Sequence, residues 1–325
     1  MKNVLVLFFS LSLLFMSCDS KKERRNSNQS TGKINYISVF IDDPLWNGEV
    51  GDSIRKKLAA PIDGLPQEEP LFSINQYPTK VFNGTMMDGR NILVVKKQPK
   101  NNFEIVEDFY AQPQNVIYIS GKNIPQIVNL LEKHLDQIIQ KIKNTEIKEC
   151  QRICSLKILD EKKINRKFNL SLKIPSTFKY VMEKDNFMWI KKEIPSGSSS
   201  ILIYQVPLVS IEKDTNTVHN IVKMRDSIGS LYIHGKLENT QMITEGSYAP
   251  YVVNTLIDNR KAYATKGTWE LRNDFMSGPF INYAIVDKVR NRMVIIEGFT
   301  YAPSTPKRDL MHELEAIIKS VKIFN

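Results

Sequence analysis

The sequence predicts a mixed α+β protein of two domains, with antiparallel sheets packed by helices and a long helix joining them. The chain has 325 residues, with 42% hydrophobic and 25% charged side chains. That is a globular composition on a length beyond what one core ordinarily fills. Short β-branched and aromatic runs recur on both sides of one long stretch of helical periodicity. In the C-terminal half these runs follow at hairpin spacing, the pattern of antiparallel sheet.

The first residues are of another kind. In MKNVLVLFFSLSLLFMSC, Lys2 precedes an apolar run from Val4 to Phe15, and Ser17 stands before Cys18. This predicts a signal peptide over residues 1–17, shorter than the roughly 20 apolar residues of a membrane span. The words before Cys18 resemble a bacterial lipobox, with Phe15 where Leu or Val is usual. The alternative is an ordinary signal cut near Ser17 and an incidental cysteine. The lipobox reading makes Cys18 the acylated first residue of a lipoprotein, anchored through chains such as palmitate. Residues 19–32, DSKKERRNSNQSTG, contain no apolar side chain, so residues 18–32 are expected to form a flexible tether. Lys21, Lys22, Arg24 and Arg25 lie beside the lipid, in reach of anionic head groups. The rest of the +10 net charge is scattered. No basic run is interleaved with aromatics, so nucleic acid is not an expected partner.

Residues 33–122 are expected to form the first domain. INYISVFID (34–42) alternates as a strand. Asn47 is the expected N-cap of a helix over 48–60, whose Val50, Ile54 and Leu58 make one apolar stripe. Glu49 and Asp52 suit its N-terminus, and Arg55 to Lys57 its C-terminus. Pro61 stops it. Further strands are expected at 69–77, 91–97 and 115–121.

Residues 123–166 carry Ile124, Ile127, Val128, Leu131, Leu135, Ile138 and Ile142 at 3–4 spacing. This predicts one helix, or two with a break near Thr145, linking the domains. In ECQRIC, Cys150 and Cys154 stand one helical turn apart. That spacing is neither a Cys-x-x-Cys motif nor a metal site, and it suits two thiols facing a helix interface, with a disulfide as the alternative. Residues 167–325 are expected to form the second domain. FNLSLKIP, FKYVMEKD, FMWIKKEI and SILIYQVPL read as strands, then a helix over 217–232, then four more strands from YVVNTLID to RMVIIEGFTYA. A closing helix over 305–320 puts Leu310, Leu314, Ile317 and Ile318 inward and Lys307, Arg308 and Lys319 outward.

No motif assigns a reaction, a metal or a cofactor: the phosphate-binding glycine loops, the Gly-x-Ser-x-Gly elbow and His-x-x-x-His are all missing from the sequence. Asp42, Asp43, Glu49, Asp52, Glu68 and Glu69 form an acidic run, so the rival to a binding protein is a periplasmic hydrolase using these carboxylates. Glu49 and Asp52 already have a helix-dipole role, and Asp42-Asp43 a turn role. Trp46 is expected to pack back on its helix, although a tryptophan at that place, like Trp189, also suits a ligand platform. In GLPQEEPLF, the residues Gln67, Glu68 and Glu69 have no structural role that the sequence shows. With Trp46 they are the candidate contacts for a partner or ligand. Ser53 and Ser227 stand in Asp-Ser-Ile triplets, which resemble an Asp-Ser/Thr-apolar O-glycosylation pattern of exported proteins.

VFIDD (39–43), LWNGEVGD (45–52), GLPQEEPLF (64–72) and RNIL (90–93) resemble the Bacteroidota lipoproteins grouped as domain of unknown function 4837. The resemblance implies an exported, lipid-anchored protein over nearly the whole mature chain and carries no functional residues with it. The order of strands and helices over 168–325 is similar to the PsbP-like fold. Together these readings give the expectation of a non-catalytic envelope lipoprotein. It would be held through Cys18 on the periplasmic side of the outer membrane and bind a protein or glycan partner.

Overall fold

The computed structural model describes residues 28–247 and 249–324. The signal peptide expected at 1–17, Cys18 and its lipid, and the tether as far as Ser27 lie outside the described residues. The expected tether over 18–32 is corrected at its end. Strand β1 (Asn28–Gln29) pairs in parallel with β6 (Ala111–Gln112), Ser30 N–H donates to Gln112 O at 3.0 Å, and Thr31 bridges Gly89. Strand pairing uses backbone groups, so polar side chains did not exclude it.

The N-terminal sheet has the order β3-β2-β4-β7-β5. Its strands are β2 (Tyr36–Phe40), β3 (Ser73–Tyr77), β4 (Asn91–Lys97), β5 (Asn102–Glu107) and β7 (Asn115–Gly121). Here the antiparallel expectation is corrected: β3, β2, β4 and β7 run parallel, and only the edge strand β5 is antiparallel. The physical reason is the crossover between β2 and β3. It contains α1 (Asp43–Trp46) and α2 (Glu49–Leu58), which return the chain to the starting edge as a parallel pair requires. The stripe Val50, Ile54 and Leu58 is buried against Ile37, Val39 and Leu93. The cap of α2 is Gly48, with no side-chain hydrogen bond, and Asn47 instead closes α1. The two helices touch so closely that a Cβ on Gly51 would stand 1.8 Å from Trp46 O.

Helix α3 (Ile124–Cys154) starts with the Asn123 side chain accepting from Gln126 N–H. Ile127, Leu131, Leu135, Ile138 and Ile142 pack on the parallel sheet and α2. There is no break near Thr145. The helix ends at Cys154, and α4 (Lys162–Phe168) follows. Cys150 and Cys154 are buried, unbridged thiols in the core of the C-terminal half.

That half is built on an eight-stranded antiparallel sheet in the order β12-β14-β15-β16-β11-β10-β9, with β13 also on β14. Its strands are β9 (Lys179–Lys184), β10 (Phe187–Ile194), β11 (Gly197–Pro207), β12 (Gln241–Thr244), β13 (Tyr251–Ile257), β14 (Arg260–Arg272), β15 (Ser277–Asp287) and β16 (Arg292–Tyr301). Helix α6 (Thr217–Tyr232), preceded by the short α5 (Val209–Glu212), packs on one face, and α7 (Arg308–Ile318) on the other. The strand expected in FNLSLKIP reduces to β8 (Leu170–Ser171), paired with β17 (Lys322–Ile323). Both faces are buried, so the central strands read as continuous apolar runs. Among the described residues no helix is long and apolar enough to cross a membrane.

The last third of α3 carries a fully buried charge. Glu146 has no solvent exposure. Its carboxylate accepts from Arg90 Nε at 2.7 Å, Asn91 Nδ2 at 2.5 Å and Asn35 N–H at 2.9 Å. Arg90 also donates to the carbonyls of Gly32 and Lys33. Removing one member leaves a buried charge without its partner, a loss of about 3–5 kcal/mol. Glu146→Ala should therefore lower stability in urea denaturation by about that much, and Glu146→Ala with Arg90→Met by clearly less than the sum of the single changes.

Candidate functional site

The acidic residues of the N-terminal stretch do not converge. Asp42 accepts from the Thr79 N–H at 2.9 Å and hydroxyl at 2.8 Å, and Asp43 from Gln76 Nε2 at 3.2 Å. Both lie past the C-terminal end of β2. Glu69 lies before the N-terminal end of β3, which runs parallel to β2 in register from Tyr36↔Ser73 to Phe40↔Tyr77. A strand of five residues separates the two groups by about 16 Å. The hydrolase reading built on Asp42, Asp43, Glu68 and Glu69 thus lacks its cleft. Among the described residues no group of three or more His, Cys, Asp and Glu side chains is placed to hold a metal ion.

The loop 61–72 has a structural use that the sequence did not show. Pro61 bridges Pro70, and Ile62 N–H donates to Glu69 O, so the loop folds on itself as a strap. The Glu69 carboxylate accepts from the N–H of Lys307 at 2.6 Å and of Arg308 at 2.9 Å, capping the start of α7. Arg308 reaches back to Pro70 O at 3.1 Å and Ser73 Oγ at 3.0 Å. Lys307 and Arg308, expected to face outward, are therefore buried. Gln67 and Glu68 remain exposed on the outer turn of the strap. Trp46 is half-buried with the Arg55 guanidinium 4.5 Å from its ring centre, a contact between α1 and α2. Trp189, also half-buried, donates through Nε1 to Ser200 Oγ. Ser53 is half-buried on α2, and Ser227 is exposed on α6 with its hydroxyl on Lys223 O.

The site that the structure does assemble lies on the second face of the parallel sheet. Helices α2 and α3 cover the face carrying Leu93, Val95, Ile117 and Ile119. Strand alternation sends Val94, Lys96, Tyr118, Ser120, Glu104 and Val106 to the other face. On the β3-β2-β4 side that face is closed by residues 79–88, where Val81, Phe82 and Met86 cover Phe40 and Ile92. Over β4, β7 and β5 it stays open, leaving a hollow of about 300 Å³.

Lys96, Gln98, Asn102, Glu104, Tyr110 and Tyr118 supply its polar lining, and Phe109, Val94 and Val106 its apolar part. The hydroxyls of Tyr110 and Tyr118 lie 3.2 Å apart, and the Phe109 ring meets Tyr110 edge-on. Burial first, then the hydrogen bond to Tyr110 and the charge of Glu104, push the Tyr118 phenol well above its ordinary value. It therefore enters any contact as a neutral hydroxyl. The arrangement offers ring faces beside amide, ammonium, carboxylate and hydroxyl groups, and is suited to binding. None of these residues was singled out from sequence. The available signal was polar or aromatic residues at alternate positions of otherwise apolar runs, in NILVVKK and NVIYISG, together with the unrecognised strand NFEIVE.

The fold and hollow define a mixed α+β protein with one parallel and one antiparallel sheet. The chain belongs to the family described as domain of unknown function (DUF4837), whose model matches residues 157–320, half of the chain. Residues 30–155 match a second domain of unknown function (DUF8532). The words at 39–93 that carried the resemblance thus lie in the second match, and the DUF4837 match lies on the antiparallel half. Among curated proteins no match was found.

Of solved structures, the chain is similar to LpqN, involved in cell envelope biogenesis of Mycobacterium tuberculosis. The identity is 10%, over 48% of this chain and 83% of that one, with a TM-score of 0.29. It is similar to the Saccharomyces cerevisiae Ran-binding protein Mog1p at 10% identity, over 47% and 89%, with a TM-score of 0.32. Human StAR-related lipid transfer protein 5 follows at 7%, over 54% and 93%, with a TM-score of 0.25. At such TM-scores these likenesses carry no argument.

The hydroxyl pair gives a direct check on the hollow. Tyr118 should ionise above the exposed tyrosines in a ring-carbon NMR titration. Tyr110→Phe, which removes the partner and keeps the ring, should bring its midpoint down toward the ordinary value.

Proposed function

We propose that this protein is a non-catalytic cell-envelope lipoprotein whose N-terminal half binds a glycan in the hollow over β4, β7 and β5. The carrying observation is the half-bare face of a mainly parallel sheet. Such sheets are ordinarily covered on both faces, and here the open part is lined by Tyr110, Tyr118, Phe109 and the amides of Gln98 and Asn102. Flat ring surface takes the C–H face of a sugar, and the amides and hydroxyls take its alternating donors and acceptors. Lys96 and Glu104 balance each other, which favours a neutral polar ligand over a strongly charged one.

The same proposal places the protein on a lipid at Cys18, after removal of residues 1–17. It would face the periplasm from the outer membrane of a Bacteroidota-type envelope. The apolar-free composition of residues 19–27 supports this, since such a run has no surface to bury in a core. The antiparallel half is assigned to the PsbP-like class on its strand and helix order. Helix α3 is assigned the role of a rigid link, since it packs on both halves. Gln67 and Glu68 on the strap, and separately Trp46 at the opposite end of β2, are kept as candidate contacts for an envelope protein, and Ser53 and Ser227 as modification sites, of which Ser227 is the accessible one.

Two measurements test the reading. In calorimetry against envelope oligosaccharides, the intact protein should bind at least one, and Tyr118→Ala should weaken it by about tenfold or more, about 1.4 kcal/mol. A full panel without heat would sink the glycan assignment. On fractionation, Cys18→Ala should move the protein from the membrane pellet to the soluble fraction; an unchanged pellet would remove the lipid anchor.

A further inference from the structure

A second cavity, of about 270 Å³, lies where the two halves meet and is separate from the hollow. Its wall comes from three directions. The strap supplies Leu65 and Leu71, α3 supplies Lys143, and the antiparallel half supplies Lys266 of β14 with Met311 and Lys319 of α7 and its end.

The charges in it are unequal. Glu315 is the carboxylate in its wall, and it is shared: Lys266 Nζ lies 3.2 Å from Oε2, Lys319 Nζ lies 2.8 Å from Oε1, and the Tyr283 hydroxyl donates to Oε1 at 3.0 Å. Burial alone would favour the neutral acid, but the two ammonium groups and the phenol hold Glu315 ionised well below the usual carboxylate range. Lys143 faces this group from the opposite half and makes no ion pair among the described residues. Burial first, then the like charge of Lys266, draw its ammonium below its ordinary value; Glu315 pulls the other way, Lys319 adds a smaller push down and Asp63 on the strap a smaller pull up. His312 Nε2, also in the wall, is buried without a hydrogen-bond partner. Arg308 is already engaged by Asp309, Pro70 and Ser73. An unpaired ammonium beside two that share one carboxylate is the electrostatic complement of an anion.

We propose that this cleft binds a small organic anion, a phosphate or carboxylate group on a short apolar body. The anionic group would sit among Lys143, Lys266 and Lys319, and the apolar body against Leu65, Leu71 and Met311. Because the wall is drawn from both halves, the bound anion ties α3 and the strap to α7, and occupancy strengthens the contact between the halves. The site is independent of the glycan reading.

The test uses the intact protein with hexyl phosphate, hexanoate, inorganic phosphate and hexanol, read by calorimetry and thermal unfolding. Hexyl phosphate or hexanoate should bind and raise the unfolding temperature, and which of them does so identifies the anionic group. Inorganic phosphate should bind more weakly, and hexanol should not bind. Lys143→Met, which keeps the aliphatic stem and removes a charge without an ion pair, and so is expected to fold normally, should weaken binding by roughly tenfold or more. Tyr118→Ala should leave it unchanged. The proposal is overturned by the absence of heat with both anions, by hexanol binding as well as they do, or by Lys143→Met binding like the unaltered protein.

Discussion

The carboxylate of Glu146 sits without solvent contact where the first strands of the parallel sheet begin, and much of the molecule is arranged around satisfying it. Arg90 and Asn91 come from the start of β4, and Asn35 from the residue before β2. Asn115, at the start of β7, joins through Asn91 and Thr145. A charge in such a place is tolerated only when every partner is present, so the ends of three strands and one turn of α3 are fixed together. Asn35 holds its position with φ near 60°, a conformation asparagine adopts more readily than most residues. Its side chain passes the connection on, donating to Asp309 of α7 at 2.9 Å. The buried polar centre of one half thereby reaches the helix that covers the other.

The strap completes that junction. Two backbone N–H groups at the start of α7 are left over by helix geometry, and Glu69 takes both from across the junction. The same segment walls the cationic cleft, so the cavity exists because the two halves are held at this point. The antiparallel half repeats the use of a buried pair in a different setting. Arg225 on α6 meets Glu297 of β16 at 3.0 Å and lies 3.8 Å over the Phe280 ring. Burial raises the Glu297 carboxyl despite that guanidinium. Glu146 accepts from three donors and leaves only Asn115 Oδ1 unpartnered in its network, whereas around Glu297 Arg225 Nη2, Tyr204 Oη and Asn282 Oδ1 remain buried without partners. The first network fastens the two halves, and the second is a less complete one that joins α6 to the sheet within the antiparallel half.

The open hollow follows from topology. A parallel sheet needs cover on both faces, and α2, α3 and residues 79–88 supply it everywhere except over β4, β7 and β5. The residues exposed there are those a binding surface uses, and the antiparallel edge strand β5 extends the surface sideways. One half of the chain thus combines a rigid, buried-charge base with an uncovered platform.

Periodicity alone determined a good deal. The stripe Val50, Ile54 and Leu58, the 3–4 run along α3, the strands 91–97, 115–121 and 187–194 and the helix 217–232 were all legible, because each buries its own side chains at its own spacing. The strands at 102–107 and 241–244 were not, because short or half-exposed strands are defined by the neighbour they pair with. Nor was the parallel direction of the first sheet, which depends on where the crossover helix lands. The cap at Asn47 failed because a separate turn of helix intervenes and packs on Gly51. The neighbouring carboxylates Glu68 and Glu69 looked the same from sequence. Only the fold, by bringing the start of α7 within 3 Å of one of them, made Glu69 structural and left Glu68 free. The sequence by itself determined the long helices and the longer buried strands, and which chemistries lack their motifs. The tertiary structure decided the sheet direction, the partners of Glu146 and Glu69, the hollow and the cleft, since each depends on residues far apart in the chain meeting in one place.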